Sequence, residues 1–434
     1  MTIEGTSTAS DRATTVRRTL DGDPVADVEA YLRLGGGDAL RRAREIGRDA
    51  VIDAIERSGL RGRGGAGFPT GRKLRAVADA YDAAGAGAVH HVIVNAAEGE
   101  PGTFKDRAIL RHDPYRVVEG ACVVAEALGA RDVIVATKAA FTHELERLDA
   151  AVRELRDAGV TGDVTVRVVE GPSEYLYGEE TGLLEVLDGR PPFPRLAPPY
   201  RRGILDAGAP SASGATWTDG PAVLVSNVET FAAIPGIVRD GPAAFRSCGT
   251  EASPGTIVCT VTGDTLRHGV GEVPMGTTVR EVIELVGGGV PAPHRVVAVL
   301  CGVSGPPLDA ASLDTPLTYE AMSGIGTGLG SAGRRWRGSS APTVCVVWPT
   351  CTSPPSWPST CRPRPRRCWS RGGRTTATGR APWWPGTPGP PGSSCPRPSR
   401  PGWPAPASTC STPGCSPPPV WPTWSPPGVT WTWA

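Results

Sequence analysis

The sequence predicts an α/β fold: a parallel sheet covered by helices, followed by a small β-grasp-like module. Three observations point to it. Short β-branched apolar runs alternate with amphipathic stretches between residues 89 and 169, the βαβαβ order that feeds a parallel sheet. A run rich in glycine and cations, Gly59 to Lys73, follows an amphipathic stretch, and strand-like runs around one short helical pattern occupy residues 255–300.

Taken in order, residues 1–30 are polar and read as a loose N-terminal segment, and helical patterns follow at 39–47 and 49–58. Val89 to Val94 is short and β-branched, reads as a buried strand and ends at Asn95. Val117 to Leu128 is helical, Asp132 to Ala136 a second strand, His143 to Ala158 an amphipathic helix and Val164 to Val169 a third strand. In such sheets ligands gather at the carboxyl ends of the strands, where Asn95 and the loop after Val169 fall. Ala222 to Val225 reads as a strand that passes through Ser226, Asn227, Val228, Glu229 and Thr230 into a helix ending near Ile237. After a linker at about 239–254, Gly255 to Thr262 and Val296 to Leu300 read as strands and Thr278 to Val286 as a helix. The domain plan is therefore 31–240 for the α/β domain and 250–333 for the β-grasp module.

At 434 residues the chain is long enough for two or three domains. Its overall charge of +1 hides a break: all 44 acidic residues lie at or before Glu320, and 12 arginines lie beyond Gly333. Residues 1–333 therefore carry −11 and the remainder +12. Residues 334–434 use only nine residue types, with no Leu, Ile, Phe, Asp, Glu or Lys, yet hold 11 of the 12 tryptophans and 24 of the 45 prolines. Such a segment lacks the aliphatic residues for a core and reads as disordered and non-globular. A frameshift near residues 333–336 explains it most simply: tryptophan has the single codon TGG, which read one base earlier gives a Leu, Val or Met codon followed by one starting with G. The competing reading is a genuine low-complexity segment for nucleic acid or membrane; the onset in mid-domain, away from any linker, argues against it.

Cys122, Cys248, Cys259 and Cys301 sit in apolar contexts and read as small buried hydrophobes, while the other seven cysteines all follow Gly333 without a C-x-x-C pair. No metal site is read from them. The polar N-terminus and the lack of an apolar run near ~18 residues give no signal for secretion or membrane insertion, so a cytoplasmic protein is expected.

Three segments carry the chemistry. In Gly59-Leu60-Arg61-Gly62-Arg63-Gly64-Gly65-Ala66-Gly67-Phe68-Pro69-Thr70-Gly71-Arg72-Lys73, glycines let backbone approach a ligand and present successive N–H groups to an anion, which suits a phosphate-bearing cofactor. A flexible surface loop is the competing reading; Phe68 and Lys73 count against it. Asn95 to Arg107 follows a strand and carries Glu98 and Glu100, acceptors suited to ribose hydroxyls or a carboxamide, unless they form a solvated turn stabilised by Lys105 and Arg107. Tyr175 to Leu184 places Glu179 and Glu180 at a helix start, where capping competes with ligand binding.

Together these segments closely resemble the NADH-binding, FMN-containing flavoprotein subunit (51 kDa, or F-type) of respiratory complex I and its relatives in NAD-linked hydrogenases and formate dehydrogenases. The resemblance covers about residues 25–333 and includes Pro194-Arg195-Leu196 and Pro198-Pro199-Tyr200. It implies a Rossmann-like FMN and NADH domain and a soluble-ligand-binding β-grasp domain. It implies that Gly62, Gly64, Gly65 and Gly67 line the flavin and dinucleotide site with Lys73 near the flavin, and that Phe68 and Tyr200 stack on NADH rings. Asn95 and Glu98 would bond FMN, Glu100, Glu179 and Glu180 belong to the site with Glu100 and Glu180 on NADH, and Gly178, Ser226, Asn227 and Thr230 would complete the FMN pocket. Carboxylates near the adenosine ribose would favour NADH over NADPH. A hydride passes from NADH to FMN, and no general base or catalytic triad is needed.

The sequence also departs from the family. Ala97 stands where the family has Asp, Ser226 where it has the first of two asparagines, Ala197 where it has a lysine that bears on the NADH contact, and Tyr200 where it has phenylalanine. Family members continue into a helical bundle whose C-x-x-C-x-x-C set and a later cysteine hold a [4Fe–4S] cluster; that set is missing here. The implied partners are other subunits of an NADH dehydrogenase-type complex, including a [2Fe–2S] thioredoxin-like subunit, with no nucleic acid, and the implied location is cytoplasmic, peripheral to the membrane through those subunits. The alternatives are a flavin subunit of a hydrogenase or formate dehydrogenase, or a non-catalytic nucleotide-binding remnant.

Overall fold

The computed structural model describes residues 18–84, 90–197, 199, 203–204, 222–302, 305–329 and the strand Val344–Pro349. Tyr200 lies outside them, as do residues 1–17 of the polar N-terminal segment and, apart from that strand, the tail read as non-globular.

The first domain is a four-stranded sheet in the order β3-β2-β1-β4, every pairing parallel: β1 is His91–Ala96, β2 Asp132–Lys138, β3 Thr165–Gly171 and β4 Val223–Asn227. Continuous burial along β1 and β2 explains their unbroken apolar runs, since helices cover both faces. Ahead of the sheet come α1 (Val28–Arg33), α2 (Asp38–Ser58) and α3 (Thr70–Ala84). Gly47 interrupts α2 with φ 77° and ψ 173°, so α2 is two helices meeting at a kink, as expected at 39–47 and 49–58. Between the first strands lie α4 (Lys105–His112) and α5 (Pro114–Leu128), α6 (Thr142–Asp157) joins β2 to β3, and α7 (Glu180–Leu187) follows β3. α8 (Val228–Asp240) leaves β4 directly, and α9 (Pro242–Arg246) occupies the stretch expected to be a linker.

α5 is the central helix of the larger core: apart from Arg116 and Glu126 it is buried along its length, against α2 and α8. Gly120 permits this, because a Cβ there would lie 2.1 Å from the Phe231 carbonyl oxygen on α8. A second core packs Tyr177, Leu183 and Leu184 on the other face of the sheet against Ile93, Ile134, Val223 and Val225.

The second module is a five-stranded sheet in the order β6-β5-β9-β7-β8, from β5 (Thr256–Gly263), β6 (Gly269–Pro274), β7 (Val296–Cys301), β8 (Leu308–Asp309) and β9 (Val344–Pro349), with α10 (Val279–Leu285) and α11 (Tyr319–Gly324). β9 runs parallel to β5 and antiparallel to β7, so the middle strand lies beyond the expected boundary at Gly333. The N-terminal stretch is tied to this module: the backbone amides of Arg18, Thr19 and Leu20 all donate to the Glu272 carboxylate on β6. Cys122, Cys259 and Cys301 are buried and Cys248 is half-buried.

Candidate functional site

Chain direction makes the site. From β1 the chain moves to β2 and β3 on one side, while β4 pairs on the other side of β1, so the strand order reverses between β1 and β4. Parallel sheets open a crevice at the carboxyl end of such a reversal and bind ligands there. The two strands are paired to the last residue of β4, with Ser226 opposite Val94 and Asn227 opposite Asn95. Both asparagines therefore stand side by side at the crevice.

The glycine run lies over it. Gly59 ends α2 in the left-handed conformation (φ 71°), and two backbone bonds close the loop, Gly62 N–H to the Phe68 carbonyl (2.8 Å) and Thr70 N–H to the Leu60 carbonyl (2.9 Å). The loop then enters α3, a helix that the sequence reading missed, so the run is a helix–glycine loop–helix unit that ends at a helix N-terminus, favourable for anions. Among the described residues the amides of Gly64, Gly65, Ala66 and Gly67 make no hydrogen bond. Gly64 presses on the strand end, where an added Cβ would lie 3.4 Å from the Asn227 Cβ. Phe68 is 53 % exposed and free to meet a ring. Lys73, in the first turn of α3, donates to the β4 carbonyl of Val225 (2.7 Å) and to the Glu180 carboxylate, so its ammonium bridges a sheet strand and the third segment.

The acidic segments are not solvated turns. Glu98 and Glu100 are 6 % and 3 % exposed. Glu98 accepts from the Asp106 amide at the start of α4 (3.1 Å) and from Arg107 Nε (3.2 Å). Burial first, and the Asp106 charge next, push its carboxyl up to about 7 against the pull of Lys105 and Arg107. Glu100 accepts from the Tyr175 hydroxyl (2.8 Å), which links the second segment to the third. Asn95 donates to the Gly178 carbonyl (2.8 Å), a further link. The two glutamates of the third segment divide their tasks. Glu179 caps α7, accepting from the amides of Thr181 (2.9 Å) and Gly182 (2.7 Å), and burial raises its carboxyl; Glu180 turns to Lys73.

Beneath the crevice lies a buried ionic cluster that the sequence reading did not find. Lys105, with no solvent exposure, donates to Asp106 (2.7 Å), the Asn227 carboxamide oxygen (2.8 Å) and Glu229 (2.9 Å). Burial pulls its ammonium down, but Asp106 and Glu229 overcome this and hold it above the usual lysine range. The Asn227 amide in turn donates to Asp106 (2.7 Å), so both ends of the carboxamide are fixed. Glu229 accepts from the Val258 amide on β5 (2.9 Å) and lies 3.9 Å from buried Arg63, whose own amide donates to the Thr230 hydroxyl (2.9 Å). The adjacent signs at Lys105, Asp106 and Glu229 were visible in the sequence; their burial was not.

The described residues fit a phosphate-bearing flavin. The loop offers unused N–H donors over a strand reversal, and buried hydroxyls in two of the segments, Thr70 Oγ1 and Thr103 Oγ1, have no partner among the described residues. A cavity of about 320 Å³ adjoins the buried ionic cluster at Arg63 and Glu229 and is otherwise lined by Tyr31, Arg116 and Glu119 among others. Its polar groups largely serve one another: Tyr31 donates to Glu119, and Arg239 pairs with Asp240.

The profile of the family described as Nuo51 FMN-binding domain matches residues 55–236, a range that holds all three segments. The second of the F-type subunits of NADH-quinone oxidoreductase in Rhizobium meliloti is 37% identical over 324 residues, 72% of each chain. The chain belongs to the F-type family of NADH-quinone oxidoreductase subunits. Other members are similarly near: the F-type subunit of Streptomyces coelicolor is 35% identical over 336 residues, 75% of this chain and 70% of that one. The NAD+-reducing [NiFe]-hydrogenase in its H2-reduced state superposes with a TM-score of 0.60 at 30% identity over 76% of this chain, which spans about half (49%) of the hydrogenase chain. In this F-type homologue the family's proline-rich segment is anchored by Arg195, which pairs with Glu185 (3.0 Å) and donates to the Gly203 carbonyl (2.9 Å). Among the described residues no helix is long and apolar enough to cross a membrane.

Proposed function

We propose that the chain binds FMN and NADH in the β1–β4 crevice and serves as the flavoprotein subunit through which NADH electrons enter a multi-subunit NADH dehydrogenase. The observation that carries this reading is the register of β1 and β4, which sets Asn95 and Asn227 side by side beneath a glycine loop with unused amides. FMN, once bound, supplies the two-electron acceptor for the hydride of NADH.

The chain's own residues bind, orient and exclude. The amides of Gly64 to Gly67 meet phosphate, and Lys105 and Asp106 lock the Asn227 carboxamide so that it presents one fixed face. Phe68 offers a ring for stacking on the dinucleotide. Glu100, held by Tyr175, and Glu180, held by Lys73, face ribose hydroxyls, and their charge disfavours a 2′-phosphate. No side chain removes a proton in this scheme, so proximity and fixed electrostatics account for rate. Gly62, Gly65, Glu98, Gly178, Glu179, Ser226 and Thr230 complete the walls, with Tyr200 as the second stacking ring.

The electron exit is a separate matter. The same proposal gives the chain a [2Fe–2S] thioredoxin-like partner subunit and attachment to the cytoplasmic face of a membrane through its partners. The [4Fe–4S] domain that should follow the β-grasp module is replaced here, on our reading, by frameshifted sequence from about residue 334. The test is reconstitution: the full chain incubated with FMN and desalted should retain about one flavin per chain and reduce ferricyanide with NADH, and with NADPH far more slowly. Failure to retain FMN would overturn the assignment.

A further inference from the structure

Gly67 has φ +62°, and the space its side chain would take is filled by the ring of Tyr319, whose Cδ1 lies 2.3 Å from an added Cβ. The constraint on this glycine therefore comes from the second module. Tyr319 begins α11, and Thr318 caps that helix by accepting from the Ala321 amide, which fixes where the ring emerges. Its hydroxyl donates to the Gly62 carbonyl (2.9 Å). The Arg61 guanidinium lies over its ring, 4.2 Å from the centroid, while donating through Nε to the Gly67 carbonyl (2.7 Å) and pairing with Glu320 (3.2 Å). Glu320 is held in turn by the Ser253 hydroxyl (2.9 Å).

These contacts grip the loop at Gly62 and Gly67, which bracket the stretch holding the unused amides of Gly64 to Gly67. Among the described residues only two backbone bonds, Gly62–Phe68 and Thr70–Leu60, span that stretch. A glycine-rich segment of this length has many accessible conformations, and selecting one before the ligand arrives lowers the entropy lost on binding. We propose that Tyr319 is a positioning residue: acting from the second module, it holds the glycine loop in the shape that receives a phosphate group. The proposal rests on the reading that this loop binds phosphate. Two phosphates qualify, that of FMN and the diphosphate of NADH.

The experiment uses the full chain carrying Tyr319→Phe, which keeps the ring but loses the hydroxyl, and Tyr319→Ala, which loses both. Affinity for FMN is compared with affinity for riboflavin, which lacks the phosphate, and KM for NADH is compared with kcat. Loss of one neutral hydrogen bond corresponds to roughly a fivefold effect. Tyr319→Phe should lower the FMN-to-riboflavin affinity ratio about fivefold if the loop holds the flavin phosphate, or raise KM for NADH about fivefold at unchanged kcat if it holds the diphosphate, with a larger effect for Tyr319→Ala. A merely structural role would weaken FMN and riboflavin equally. Equal weakening, or no change in either ratio or KM, overturns the proposal. Amide exchange of residues 62–70 in the chain without FMN gives a second reading: it should quicken in both variants, and unchanged exchange contradicts the positioning role even if wild type binds no flavin.

Discussion

Lys105 shows best what single residues do here. A buried ammonium with two carboxylates and a carboxamide around it is costly to disturb, because removing one member leaves the others charged and desolvated. Lys105→Met should therefore destabilise the chain by about 3–5 kcal/mol in urea unfolding; a loss below about 1 kcal/mol would mean the cluster is wetter than it looks. Glu98 gives a pH signature. Its carboxyl, at about 7 in the folded chain, lies above its unfolded value near ~4.3. The folded state thus binds more protons than the unfolded one between those values, and stability from this group falls as pH rises through that window and levels off above it. Glu98→Gln should flatten that part of a stability-against-pH curve; an unchanged slope would assign it elsewhere. Glu180→Gln should weaken NADH more than FMN, by on the order of 1.5–3 kcal/mol, in titrations of each ligand; equal losses would mean that the Lys73–Glu180 pair only shapes the crevice.

At the scale of elements, β1, β2 and β4 were legible because buried parallel strands leave unbroken apolar runs, and β3, a more exposed edge strand, by its repeated valines; β1 and β4 run two residues past where their apolar runs stop. α3 and α4 were not, since both start inside the motifs and their residues were read as ligand-facing chemistry. Tyr319 was not legible either: its contact with Gly62 joins positions 257 apart in sequence, and no local period records such a pairing. β9 was hidden differently. Val344-Cys345-Val346-Val347-Trp348 has strand composition, but the composition of the whole tail masked it. Because β9 lies between β5 and β7, ending the chain at residue 343 would leave two disconnected strand pairs. Amide exchange in β5 and β7 should then quicken by at least roughly tenfold while β1 and β2 keep their protection; unchanged exchange would show that the module is complete without β9.

In the molecule as a whole, taking electrons in is separate from passing them on. The proposed flavin site draws on three segments of the first domain and meets the second module at Tyr319, so the residues proposed for it all precede residue 330. The cysteine set for a [4Fe–4S] cluster is absent from the sequence, so anaerobic reconstitution with iron and sulfide should give no stoichiometric cluster signal in the reduced EPR spectrum. A full signal that disappears on deleting residues 350–434 would show that the tail is a cluster domain. Whether the crevice takes a hydride from NADH is decided by anaerobic titration of the FMN-loaded chain with NADH, followed by flavin absorbance. About one equivalent of NADH should bleach the bound flavin completely; a chain that holds FMN at full occupancy yet stays yellow in excess NADH would contradict the assignment.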